Sequence, residues 1–145
     1  MANICKYKVI VRGKKNACYA FFGSMSCMDY KEILRESGDN ENCEVMFEGT
    51  CKWAVDMYCN PFSGEKPVQL PEDPDEAYKE AENNYWYNTV QERSEMFQVE
   101  VLCNSIDIDE FNPDWNIWEH YISGKPVYDD DDEMPEELEI ADSWD

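Results

Sequence analysis

The side chains best suited to metal binding or covalent catalysis are seven cysteines and one histidine, and their spacing favours neither activity. Zinc ribbons and fingers take ligands in pairs a few residues apart, but the sequence has no Cys-x-x-Cys pair and no cysteine beside His120. A secreted disulfide framework would favour an even number of cysteines and a signal peptide, and the sequence has neither. We therefore interpret the cysteines as small apolar residues in a reducing cytoplasm. They are Cys5, Cys18, Cys27, Cys43, Cys51, Cys59 and Cys103.

Carboxylates are the other candidate ligands, and the pair Asp107 and Asp109 has the spacing that opens a calcium loop. An EF-hand would continue with an oxygen ligand, a glycine and a glutamate at positions 5, 6 and 12 of the loop. The sequence has Phe111, Asn112 and Trp118 there. We expect no metal site and no cofactor.

Enzyme motifs are missing from the sequence as well. It contains no Gly-rich phosphate loop, no Gly-x-Ser-x-Gly and no His-Glu-x-x-His. Many carboxylate pairs must occur by chance among 33 acidic residues, so proximity alone does not indicate acid–base chemistry. We predict that the protein is not an enzyme; a small carboxylate hydrolase is the least favoured alternative.

Charge is the strongest feature of this 145-residue chain, which has 33 acidic and 12 basic residues and a formal net charge of −21. Residues 1–60 hold eight of each sign, so the whole excess lies in residues 61–145. Ten carboxylates fall within residues 129–145. Repulsion argues against direct binding to nucleic acid, and no apolar run is long enough for a membrane span. The asymmetry instead indicates an anionic interaction surface.

Apolar periodicity predicts an α+β domain over residues 1–128 and an acidic C-terminal tail over 129–145. Alternating residues favour strands, and apolar residues three and four apart favour helices. A helix start is clearest at Asp73, where Pro74 suits the first turn and Glu76 the capping-box position. We expect strands at 6–12, 31–37, 43–48, 97–103 and 116–122, and helices at 14–25, 51–59 and 73–92. The succession is that of a ferredoxin-like βαββαβ antiparallel sheet with an extra strand.

The sequence contains two short motifs, at residues 47–53 and 118–121, that resemble the YubB-type ferredoxin-like family. One is the run 47–53, in which a strand passes through Gly49 toward Trp53; the other is 118–121, followed by Gly124 and Lys125. The resemblance covers the order of elements over residues 3–128, and departs from the family at 61–72 and after 128. It implies a fold and supplies no catalytic residues.

We interpret the acidity as that of a cytoplasmic inhibitor that occupies a basic nucleic-acid-binding site on another protein. Its character is similar to that of phage-encoded acidic inhibitors of host defence nucleases, anti-CRISPR proteins among them. The tail, the 107–110 loop and the 72–82 helix face would together form one anionic surface, drawn rapidly to a basic channel. The expected partner-binding residues are Asp107, Asp109, Glu110, Asp129, Asp130, Asp131, Asp132, Glu133, Glu136, Glu137 and Glu139, with Leu138 and Trp144 as apolar anchors.

Two alternatives stay open on the sequence alone. The tail could fold back on its own sheet instead of docking on a partner. The protein could also be a protein-binding adaptor whose neutral half makes the contact and whose acidity only confers solubility.

Overall fold

The computed structural model describes residues 4–25, 27–28, 30–52, 67–84, 88–107, 117–127 and 134–140. These form an α+β architecture in which a six-stranded antiparallel sheet carries three helices. The strands are β1 (Ile4–Gly13), β2 (Lys31–Gly38), β3 (Cys43–Lys52), β4 (Glu100–Asp107), β5 (Ile117–Ile122) and β6 (Lys125–Pro126). The helices are α1 (Lys15–Ser24), α2 (Pro74–Asn84) and α3 (Val90–Phe97), and a 3₁₀ turn spans Glu136–Leu138.

The order of strands across the sheet is β2–β3–β1–β4–β5–β6. The first strand therefore lies near the centre, with β3 and β4 as antiparallel neighbours. Alternation of side chains along each strand gives the sheet two faces. One, the helix face, carries all three helices; the other, the clasp face, is covered in part by residues 134–140, which we call the C-terminal clasp.

The helix face holds the larger core. Alternate residues of β1 (Tyr7, Val9, Val11) are fully buried there against α1 and α3. Aromatic rings fill the centre of this layer: Phe22 packs on Phe47 with ring centroids 4.9 Å apart. Edge-to-face pairs of this kind contribute beyond their buried area. This layer fixes the positions of the helices and of everything they present to solvent.

The structure corrects the expected helix at 51–59 at its start, because Cys51 and Lys52 continue β3. Gly49 does not end the strand. It lies opposite Tyr7, whose hydroxyl would be 2.4 Å from a β-carbon at that position. Glycine is thus needed here for close approach, not for a turn. Residues 53–66 lie outside the described residues.

The single helix expected at 73–92 is also wrong in its extent. It begins at Pro74 as predicted, but α2 ends at Asn84 and α3 begins at Val90. The Thr89 side chain accepts a hydrogen bond from the Glu92 backbone N–H at 3.0 Å, so Thr89 caps a new helix. Phe97, expected in a strand, is the last residue of α3.

Close contact between α1 and α2 depends on Gly23. A β-carbon there would lie 2.4 Å from the Tyr78 carbonyl oxygen, which is backbone and cannot swing aside. We expect Gly23→Ala to lower the free energy of unfolding by about 2 kcal/mol, because overpacking outweighs the helix propensity of alanine. Urea unfolding measures this, with the exposed Asn83→Ala in α2 as control. A Gly23→Ala protein at least as stable as the wild type would contradict the close packing.

No helix among the described residues is long and apolar enough to cross a lipid bilayer.

Candidate functional site

The C-terminal clasp is held on the sheet by an apolar contact and two backbone contacts. Leu138 is fully buried in a cluster with Ile10, Met46 and Leu102 of the clasp face. The side-chain amide of Asn104 donates to the Leu138 carbonyl at 2.8 Å, and the Lys8 ammonium donates to the Glu139 carbonyl at 2.9 Å. The buried Leu138 carbonyl thus has the donor that its burial requires, and the exposed Lys8 contact holds the next residue.

This arrangement answers one question that the sequence left open. For residues 134–140, the alternative in which the tail folds back on its own sheet is confirmed. The expectation that Leu138 is an exposed anchor for a partner is wrong, because its side chain is 0% exposed within its own chain. The sheet offers an apolar patch at this point, and burying leucine there is worth about 2 kcal/mol.

Beside the clasp, side chains of alternating sign cross the clasp face in a row. Arg35 bonds Glu137 at 2.7 Å and Glu44 at 3.2 Å. Arg12 forms ion pairs with Glu44 at 2.6 Å and with Glu100 at 3.2 Å. His120 ends the row 2.9 Å from Glu100. The row connects β2, β3, β1, β4 and β5 and also ties down the clasp.

The pKa values of two carboxyl groups reflect this row. The hydrogen bond from Arg35 holds the pKa of Glu137 below its ordinary value. Burial works against ionisation of Glu100, but hydrogen bonds from His120 and Arg12 outweigh it and lower the pKa of that carboxyl group. Glu137 is therefore part of an internal ion pair and is less available to a partner than was expected.

The row should make stability depend on pH. Because the pKa of Glu100 is lowered on folding, its contribution is present above its unfolded value of about 4.3 and is lost as pH falls through the folded pKa. We expect Glu100→Gln to cost about 1 kcal/mol near pH 7 and almost nothing near pH 3. Urea unfolding of both proteins at the two pH values measures the difference. A cost independent of pH would show that the charge of Glu100 contributes nothing.

The strongest anionic surface among the described residues lies on the helix layer. Ala77 and Ala81 of α2 are fully buried toward the core, so the outer side of that helix faces solvent. Lys79 is the one basic residue in 72–82. Six carboxylates, which we call the acidic ridge, occupy this stretch: Glu72, Asp73, Asp75, Glu76, Glu80 and Glu82.

The acidic ridge and the clasp do not form one surface. The ridge lies on the helix face and Glu136, Glu137 and Glu139 lie with the clasp on the opposite face. The expectation of a single continuous anionic surface is therefore wrong for these two segments. Alternation in β1 places Val9 and Ile10 on different faces, and each segment packs on its own side.

Several expected site residues cannot be placed. Asp109, Glu110, Trp144 and residues 129–133 lie outside the described residues. Asp107 is the last residue of β4. The basic partners Lys8, Arg12 and Arg35 were not among the expected site residues; their position on the outward-facing side of the strands was the one signal in the sequence.

Cys18 and His120 occupy separate environments. Cys18 is fully buried, and burial raises its pKa, which is the opposite of what a nucleophilic thiolate requires. His120 contacts Glu100, and its ring also lies against Trp118. In the described part of the chain, no three His, Cys, Asp or Glu side chains are grouped so that they could hold a metal ion.

Comparisons with protein-family models, with curated proteins and with solved structures find no match to this chain.

Proposed function

We propose that this protein is a non-enzymatic inhibitor that works in the cytoplasm and occupies a basic nucleic-acid-binding site on another protein. The acidic ridge is the contact surface in this proposal. One observation carries it: none of the ion pairs recorded among the described residues involves the ridge, although the Tyr78 hydroxyl bonds Glu82. The ridge keeps its charge available for a partner.

The spacing of the ridge supports a phosphate-like role. Residues 74–82 rise about 1.5 Å each in a helix, and the two residues before them add about 3.3 Å each. Six carboxylates over such a length give about one charge every 3 Å. One strand of DNA carries a phosphate about every 3.4 Å. A basic channel that tracks one strand would therefore meet a similar number of charges per unit length, distributed around the exposed side of α2.

A second anionic surface on the clasp side belongs to the same proposal. It comprises Glu136 and Glu139; Asp109, Glu110, residues 129–133 and Trp144, which lie outside the described residues, are further candidates from the sequence. Both surfaces raise the rate of encounter with a basic partner, since the field of the whole molecule steers association. A defence nuclease, as expected for an anti-CRISPR protein of phage origin, is the kind of target that fits.

We further propose that the sheet belongs to the ferredoxin-like class and resembles the YubB-type family. Its β1–α1–β2 crossover and the insertion of β3 between β1 and β2 support this assignment. The strands β5 and β6 extend that pattern.

A competition experiment tests the function. A protein captured from bacterial lysate and eluted with salt is mixed with its labelled nucleic acid, and displacement by this protein is measured. We expect Glu72→Gln, Glu76→Gln and Glu80→Gln together to weaken displacement at least tenfold, most strongly at low salt. The matched control carries Glu32→Gln, Asp39→Asn and Glu41→Gln, an equal change in charge at exposed positions of the neutral half.

Equal loss with both triple variants would indicate that only total charge matters. No loss with either, combined with retained binding, would favour the adaptor alternative, in which the neutral half makes the contact. A captured protein that binds no nucleic acid would refute the proposed target class.

A further inference from the structure

The outer strand β2 has the features of a pairing edge. Among the described strands it pairs with β3 alone, and residues 34–38 are all exposed. Among described residues, the large exposed apolar side chains are Met28, Leu34 and Ile122, and the first two lie at this edge. A strand edge presents backbone donors and acceptors to any strand that can align with it.

A bulge gives β2 an unusual distribution of side chains over the two faces. Ile33 pairs with Phe47 and Arg35 pairs with Met46, so Leu34 is an extra residue. Beyond the bulge the faces are exchanged, as a shift of one residue requires. As a result Lys31 and Glu36 share the helix face, and Glu32 and Arg35 share the clasp face.

This distribution makes the strand complementary to itself. In an antiparallel pair of two β2 strands centred between Ile33 and Leu34, Glu32 of each copy lies opposite Arg35 of the other. Ile33 lies opposite Leu34. Lys31 lies opposite Glu36, but both already have partners in their own chain, so the Glu32–Arg35 pair provides the charge complementarity. Opposed residues in such a pair share a face, and opposite charges there are stabilising. A regular strand would place these partners on different faces.

The charge environment favours the same partner. Glu32 lies opposite Glu48 within its own sheet and, among the described residues, forms no ion pair. The Arg35 side chain is 43% exposed in spite of its two acidic contacts. Residues 1–60, which contain this edge, sum to zero charge, whereas the acidic excess lies in residues 61–145. Two highly anionic molecules can approach each other best through such a neutral region.

We propose that two copies of this chain associate through antiparallel pairing of their β2 edges, which forms a continuous twelve-stranded sheet across a two-fold axis. The Glu32–Arg35 pair forms twice, once on each side of the axis, as the symmetry of a two-fold interface requires. A contact of one strand from each copy is small, so the dimer is weak and concentration-dependent.

Sedimentation equilibrium of the full chain, in reducing buffer to exclude linkage through the exposed Cys27, tests this. We expect the average mass to rise from 17.1 kDa toward twice that value with concentration. Glu32→Lys should weaken the dimer at least tenfold, because it places two lysines opposite arginines. It should not harm the monomer, because the new lysine faces Glu48.

The control is Glu80→Lys, which changes the charge equally on α2 and should leave the dimer intact or slightly stronger. Hydrogen exchange provides a second measurement: protection of amides 31–36 should rise with concentration in the wild type and not in Glu32→Lys. A mass of 17.1 kDa at millimolar concentration, or a dimer indifferent to Glu32→Lys, would overturn the proposal.

Discussion

Leu138→Ala is expected to lower the free energy of unfolding by about 3 kcal/mol. Leu138 is fully buried against Ile10, Met46 and Leu102, and alanine would leave a cavity on the clasp face. The loss should be accompanied by release of the clasp, because the contacts of Lys8 and Asn104 to its backbone depend on its position. Urea unfolding measures the first effect, and hydrogen exchange of residues 136–140 the second.

Ile122→Ala is the matched control, since Ile122 is 49% exposed and its truncation should change stability by less than about 0.5 kcal/mol. If Leu138→Ala were as mild as this control, the clasp would not be part of the core. The same contact affects the choice of variants for testing the acidic tail. Deletion of residues 129–145 would expose an apolar patch, whereas point variants of the carboxylates change the charge without damaging the fold.

Lys31→Met should cost about 2 kcal/mol in the free energy of unfolding. The Lys31 ammonium donates to the carbonyls of Phe22, Gly23 and Met25 at 3.1, 3.2 and 3.3 Å, which closes the C-terminal end of α1. It also lies 5.0 Å from the ring centroids of Phe22 and Tyr78. Methionine preserves the apolar stem but leaves those carbonyl oxygens without their donor.

Burial lowers the pKa of Lys31, so desolvation of the ammonium offsets part of this gain. The control is Lys79→Met, an exposed lysine of α2, which should change stability by no more than about 0.5 kcal/mol. Thermal and urea unfolding compare the two. A loss equal to that of the control would mean that water serves the α1 carbonyls as well as Lys31 does.

The parts of the fold predicted correctly are those whose structure is determined by residues close together in the sequence. Alternation in β1 separates Val9 and Val11 from Lys8 and Arg12, and the structure extends that strand only at its ends. The strands expected at 31–37 and 43–48 are present as β2 and β3, and in the turn between them the Asp39 carboxylate accepts from the backbone N–H groups of Glu41 and Asn42. Local hydrogen bonding and local periodicity suffice for such elements.

The errors arise where tertiary contacts determine where an element ends or on which face of the sheet it lies. The break between α2 and α3 follows from the cap at Thr89, although the apolar spacing through Thr89 suited one long helix. The end of β3 follows from pairing of Lys52 with Ile4, a partner 48 positions away. For the candidate site, composition indicated which segments are acidic, but only the core contacts of Ala77 and Leu138 assign the ridge and the clasp to opposite faces.

The clasp also affects the order in which parts of the protein can fold during synthesis. Lys8 meets Glu139 across 131 positions of sequence, and Leu138 reaches the core 36 residues after Leu102 has been added. At about 5–20 residues per second, ribosomes need about 2 to 7 s for that interval. Throughout it, one side of the nascent sheet exposes Ile10 and Met46 to solvent, where chaperones can bind and where other nascent chains can aggregate.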